Sequence, residues 1–157
     1  MIDDISPTSE PTIIVDSSMI LGFDPGRQKC GLAVMGGDQT IHWHQVVAAS
    51  QVIDSINTLR QTYPISLLVM GNQTTSKEWL HVLVEKYALN LDIIQVDERY
   101  STLEARGKYW QLYPPQGIHR LIPQSLRKIN HPIDDIVAII LIERYLAKPK
   151  DTDGSQV

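Results

Sequence analysis

One cysteine and one phenylalanine occur in a chain of 157 residues. A lone thiol, Cys30, excludes an internal disulfide framework, and its place inside an apolar run reads as a buried structural group rather than a reactive one. Long hydrophobic runs are missing as well. The strongest, residues 136–142, falls far short of the roughly 20 residues that cross a bilayer. The N-terminus carries no basic and then apolar leader, so the expectation is a cytoplasmic protein. There is no internal repeat and no low-complexity tract. An excess of positive charge is also lacking: 14 Lys and Arg stand against 18 Asp and Glu, a formal net charge of −4. That balance weighs mildly against nucleic acid as a partner, because binding to its backbone is largely supplied by Lys and Arg.

The distribution of charge says more than its sum. Between residues 99 and 133 lie Arg99, Arg106, Lys108, Arg120, Arg127 and Lys128, against the single acid Glu104. Tyr100, Tyr109, Trp110, Tyr113, His119 and His131 are interleaved with them, giving the region the character of a nucleic-acid contact surface. The competing reading is a solvated helix face whose aromatics pack inward.

Hydrophobic periodicity predicts an α/β domain over residues 18–148, between loose tails at 1–17 and 149–157. Three apolar runs, 19–24, 30–35 and 40–47, are separated by Asp24-Pro25-Gly26 and Gly36-Gly37-Asp38 and read as an antiparallel meander. Val52, Ile56, Leu59 and Tyr63 share one face of a helix over 50–63, which Pro64 stops before a strand at 65–70. Thr75 and Glu78 have the spacing of a capping box for a second helix, and Ser101 and Glu104 for a third helix running toward Trp110. A strand at 91–96 lies between these two helices. Pro132 suits the first turn of a last helix reaching about Ala147, apolar nearly all round and therefore buried. At 157 residues one such domain buries a sizeable core without a second.

Carboxylates sit where these elements end. Asp24 and Glu98 close the runs MILGFD and LDIIQVDE, and Asp134 and Asp135 open the last helix. Acidic side chains delivered by separate rigid elements are what a hard divalent cation needs, and such sites serve phosphate-ester chemistry, so the chain reads as a metal-dependent nuclease using Mg²⁺ or Mn²⁺. Asp97 competes with Glu98, since adjacent strand residues face opposite sides. His42 and His44 alternate with apolar neighbours on the third strand and share one face, but no third ligand is evident, so they are not read as a metal site.

Element order and three segments carry a resemblance. ILGFDPGRQKCGLAV (20–34), VDERYSTLEAR (96–106) and DDIVAIILIERYL (134–146) resemble, in order, the three signatures of the YqgF family, also called RuvX, which is RuvC-like. The resemblance implies an RNase H-like fold: a five-stranded mixed sheet, a three-strand antiparallel meander plus two parallel strands, with helices on both faces. It also implies an endonuclease that processes the 16S ribosomal RNA precursor, or alternatively a Holliday junction resolvase-like enzyme acting on branched DNA. By position, Asp24, Glu98 and Asp134 match the family's metal-holding carboxylates, with Asp135 as the other register. Two departures stand out. A Gly-Leu-Pro-Leu-Asn loop is replaced by residues 71–76, GNQTTS, and the stretch 112–131 is longer than the family pattern.

Around that set, Arg27 and Lys29 on the first hairpin, with Arg99, Ser101 and Arg106, are the candidate substrate contacts. Each has a structural rival: Arg99 as a partner of Asp97, Ser101 as a helix cap. The expected assembly is a monomer or weak homodimer. A phosphotransferase of the actin and sugar-kinase type would need two such domains, which this length cannot supply, whereas a binding protein without turnover stays open.

Overall fold

The computed structural model describes residues 17–73, 75–87 and 89–148. The expected tails, apart from Ser17, lie outside these residues. Strands β1 (Met19–Asp24), β2 (Lys29–Gly36) and β3 (Ile41–Ala48) form the antiparallel meander, and β4 (Ile65–Gly71) and β5 (Asp92–Val96) extend it in parallel. The order across the sheet is β3-β2-β1-β4-β5, so β1 is central and its carboxyl end lies beside those of β4 and β5.

Helices cover both faces. On one side α1 (Val52–Thr62) and α2 (Ser76–His81) pack with Leu21, Phe23, Leu32 and Met70. On the other, α3 (Ser101–Leu112) and α4 (Asp134–Ala147) pack with Ile20, Ala33, Met35, Val69 and Val96. All seven residues from Ile136 to Ile142 are buried, as the run of apolar side chains requires. α4 lies close to the sheet because Gly22 and Gly31 face it. A Cβ on Gly31 would land on the Asp134 carbonyl, and one on Gly22 on the Ala138 carbonyl.

Local expectations fail at the helix starts. Neither α2 nor α3 has a side-chain cap. Thr75 instead donates its hydroxyl to the Pro25 carbonyl at 3.1 Å. Ser101 lies inside the first turn of α3, after Tyr100 in the left-handed region (φ 63°), and Glu104 pairs with Arg144 at 2.7 Å. The final helix starts at Asp134, two residues after Pro132. α2 is short and continues as a π-helical turn, Val82–Lys86. The pairing of β2 with β3 slips between Val34 and Met35, opposite His42. That bulge breaks the shared face expected of His42 and His44.

Candidate active site

Strand alternation aims the site. On β1, Leu21 and Phe23 face α1 and α2, so Ile20, Gly22 and Asp24 face α4. On β5, Ile94 and Val96 take the α4 side, and two residues on Glu98 continues it while Asp97 is exposed. Glu98 is 8% exposed, and it fits because Gly71, paired with Val96, has no side chain: a Cβ there would fall on the Glu98 carboxylate. The N–H of Gln73 donates to Glu98 Oε1 at 2.8 Å. The first turn of α4, seated over Gly31 and so beside the end of β1, brings up the third acid.

The neighbouring aspartates separate cleanly. Asp134 faces the Asp24 carboxyl closely enough to raise it. Asp135 turns the other way, to His44 Nδ1 at 2.6 Å. Successive helical residues point about 100° apart, so only one of the two can face Asp24. His44 was passed over in the sequence because its partner lies 91 residues away and the bulge at His42 hides the face it uses.

Electrostatically the centre is strained toward anion excess. Burial first, then the charges of Asp134 and Glu98, then the hydrogen bond to Asp134, push the Asp24 carboxyl up to about 8. Burial also raises Glu98, with Asp97 adding to it, while the Gln73 N–H and Arg144 act in the opposite sense. Among the described residues no Lys, Arg or His forms an ion pair with Asp24, Glu98 or Asp134. Nor, among them, do three His, Cys, Asp or Glu side chains make a ready-made metal cage. The expected triad is therefore looser than its residue types suggest: Asp24 and Asp134 are the close pair, and Glu98 stands off on the Gln73 N–H. Three carboxyl groups with no cation between them repel as they ionise, which favours this spacing.

Basic candidates surround the carboxylates at different distances from function. Arg27, on the loop that follows Asp24, and Lys29, which opens β2, are exposed. That loop is pinned from α2: Trp79 Nε1 donates to the Gly26 carbonyl at 2.9 Å, and its ring meets Phe23 edge-on at 5.3 Å. Cys30 Sγ accepts from the Gly26 N–H, and burial pushes the thiol up to about 11, as an inert structural cysteine requires. Arg99 is exposed but forked onto Asp97, at 2.8 and 2.9 Å. Ser101 is buried, with its N–H on the Glu98 carbonyl, and offers little surface to a phosphate. Arg106 is exposed on α3.

The sheet order and the carboxylates at its central strand define an RNase H-like domain. The sequence profile of RuvX, described as Holliday junction resolvase, matches residues 18–148, and the chain belongs to that family. A Coxiella burnetii protein named "Putative pre-16S rRNA nuclease" is 27% identical over 146 residues, covering 83% of this chain and 94% of its own. One of the same name from Xanthomonas oryzae pv. oryzae is 26% identical over 155 residues, covering 89% and 94%. Among solved structures, a ROK family transcriptional regulator aligns with a TM-score of 0.41 at 9% identity, over 62% of this chain and 31% of its own. No helix among the described residues is long and apolar enough to cross a membrane.

Proposed function

We propose that the chain is a metal-dependent endonuclease that hydrolyses phosphodiester bonds in structured nucleic acid, with the 16S ribosomal RNA precursor as its substrate. It works in the cytoplasm as a monomer or weak homodimer. The observation that carries this reading is the crowding at Asp24: a half-buried carboxyl, raised to about 8 by burial and then by its acidic neighbours, with no Lys, Arg or His among the described residues in an ion pair with any of the three acids. A scaffold has no use for such repulsion next to a polyanion. Mg²⁺ or Mn²⁺ fits the donor set, since a hard cation takes carboxylate oxygens and completes its shell with water when protein ligands are few. When bound, the cation would act as a Lewis acid on the phosphate and lower the pKa of an attacking water.

The chain's own groups then have distinct tasks. Asp24 and Asp134 hold the cation from β1 and α4, and Glu98, fixed by Gln73, completes the set from beyond β5. Asp135 takes no part in holding the cation. Its bond to His44 on β3 steadies the first turn of α4, which keeps Asp134 aimed at Asp24. Arg27 and Lys29 after β1 and Arg106 on α3, all exposed, would take flanking phosphates. Arg99 reaches a phosphate only by exchanging Asp97 for it.

The family's description favours a second reading, cleavage of a four-way DNA junction. Both substrates are offered to the protein with Mg²⁺, with Mn²⁺ and with EDTA. Cleavage of the ribosomal precursor, dependent on metal and lost in Asp24→Asn, is the expected result. Cleavage of the junction alone transfers the assignment to DNA. Binding without product in either metal reduces the chain to a binding protein, the reading that the altered loop at 71–76 would favour.

A further inference from the structure

The outer surface of α3 carries a groove that the carboxylates do not explain. It has two parts, adjacent along the helix. The first, about 210 Å³, lies between Thr102 and Arg106 of α3 and residues 129–133, so that it opens at Ile133, the residue before Asp134. The second, about 330 Å³, is walled by Tyr109, Trp110 and Tyr113 and floored by His119 and Lys128. His131 lines both parts, so they adjoin at that residue. Residues 102, 106, 109 or 110, and 113 recur at helical spacing, so one face of α3 forms the wall throughout. At 1.5 Å per residue the track is roughly 16 Å long.

The lining has a definite chemistry. No carboxylate lines either part. The one acid of residues 99–133, Glu104, is turned away to Arg144. Aromatic rings are set against one another: Tyr109 packs against Trp110 at 4.9 Å, Tyr113 at 5.1 Å and His131 at 5.0 Å, and its hydroxyl is 3.1 Å from His131 Nε2. Arg127 covers one face of Trp110 at 5.4 Å. Tyr113, 45% exposed, is left as the open ring at the far end. Rigid rings beside cations, with anions excluded, suit unpaired bases that stack while their phosphates are neutralised. A duplex keeps its bases stacked on each other and has none to offer.

We infer that this groove binds a single-stranded stretch of nucleic acid leading away from the scissile bond, with Arg106 on a phosphate near the carboxylates and a base stacked on Tyr113 above Lys128. The inference rests on the proposed nuclease reading and deepens it by naming the substrate class: a single-stranded flank beside the cut rather than continuous duplex.

Fluorescence anisotropy in EDTA isolates binding from cleavage. The probes are a labelled single-stranded RNA of eight nucleotides and a blunt duplex of the same sequence. Wild-type protein is expected to prefer the single strand. Tyr113→Ala should weaken single-strand binding roughly five- to 150-fold, the effect of losing one stacked base. Lys128→Ala should lower the slope of log affinity against log salt by about 0.7, one phosphate contact on a single strand. Both positions are exposed, and unchanged circular dichroism and melting temperature establish that the variants fold. Equal affinity for duplex and single strand, or single-strand affinity untouched by both substitutions, overturns the inference while leaving metal-dependent cleavage standing. Loss of binding in Tyr113→Ala in a protein that cleaves neither substrate upholds the groove and refutes the nuclease reading.

Discussion

At Asp24 the competition between solvation and proximity sets a measurable signature. The unfolded chain releases the Asp24 proton near its ordinary value of 3.8, whereas the folded protein retains it up to about 8. Between those values the native state binds more protons, so this residue makes the metal-free protein progressively less stable as pH rises from about 4 to about 8. In EDTA, Asp24→Asn should therefore melt above wild type at pH 8, with the gain shrinking to nothing below pH 4. Equal melting temperatures at pH 8 would show that burial and the acidic neighbours do not load Asp24. The residue types of this centre were legible in the sequence, because each carboxylate closes or opens an apolar element. The choice between Asp134 and Asp135 was not, since it depends on His44, which only folding brings to within 2.6 Å of Asp135. Glu98 over Asp97 follows from strand parity once β5 is fixed.

At the scale of elements, the seating of α4 on β2 is a contact between main chains. Gly31 permits it, and with it the approach of Asp134 to Asp24. Gly31→Ala should cost about 1–3 kcal/mol in urea unfolding, the usual penalty for overpacking, and should lower cleavage beyond what the lost stability explains. A variant as stable and active as wild type would show that α4 has room to shift. Strand and helix order was readable because apolar runs and turn formers at Pro25-Gly26 and Gly36-Gly37 leave few alternatives. The capping boxes at Thr75 and Ser101 were misread for a shared physical reason. One member of each box found a partner distant in sequence, Pro25 for Thr75 and Arg144 for Glu104, and tertiary contact outbid local capping. The bulge opposite His42 has no composition signal at all.

On the scale of the whole molecule, the two faces of the sheet divide the work. α4 supplies an acid to the centre, and α3 carries the groove, both on one face. From the opposite face α2 grips the loop after β1 through Thr75 and Trp79. Trp79→Phe keeps the ring packing on Phe23 but deletes the donor to Gly26, so about 1 kcal/mol of stability should be lost. Nucleic-acid affinity should fall with it as Arg27 and Lys29 lose their fixed position, and anisotropy in EDTA checks this against an unchanged Tyr113 contribution. That clasp joins segments some 50 residues apart in sequence. Residues 71–76 are thus not a private matter of one loop, because Thr75 also anchors the hairpin at 25–29. An exchange of parts with a relative must transplant both segments together: grafting either alone pairs a hook with the wrong eye, and the chimera would carry every carboxylate of the centre yet hold its hairpin cations in the wrong place.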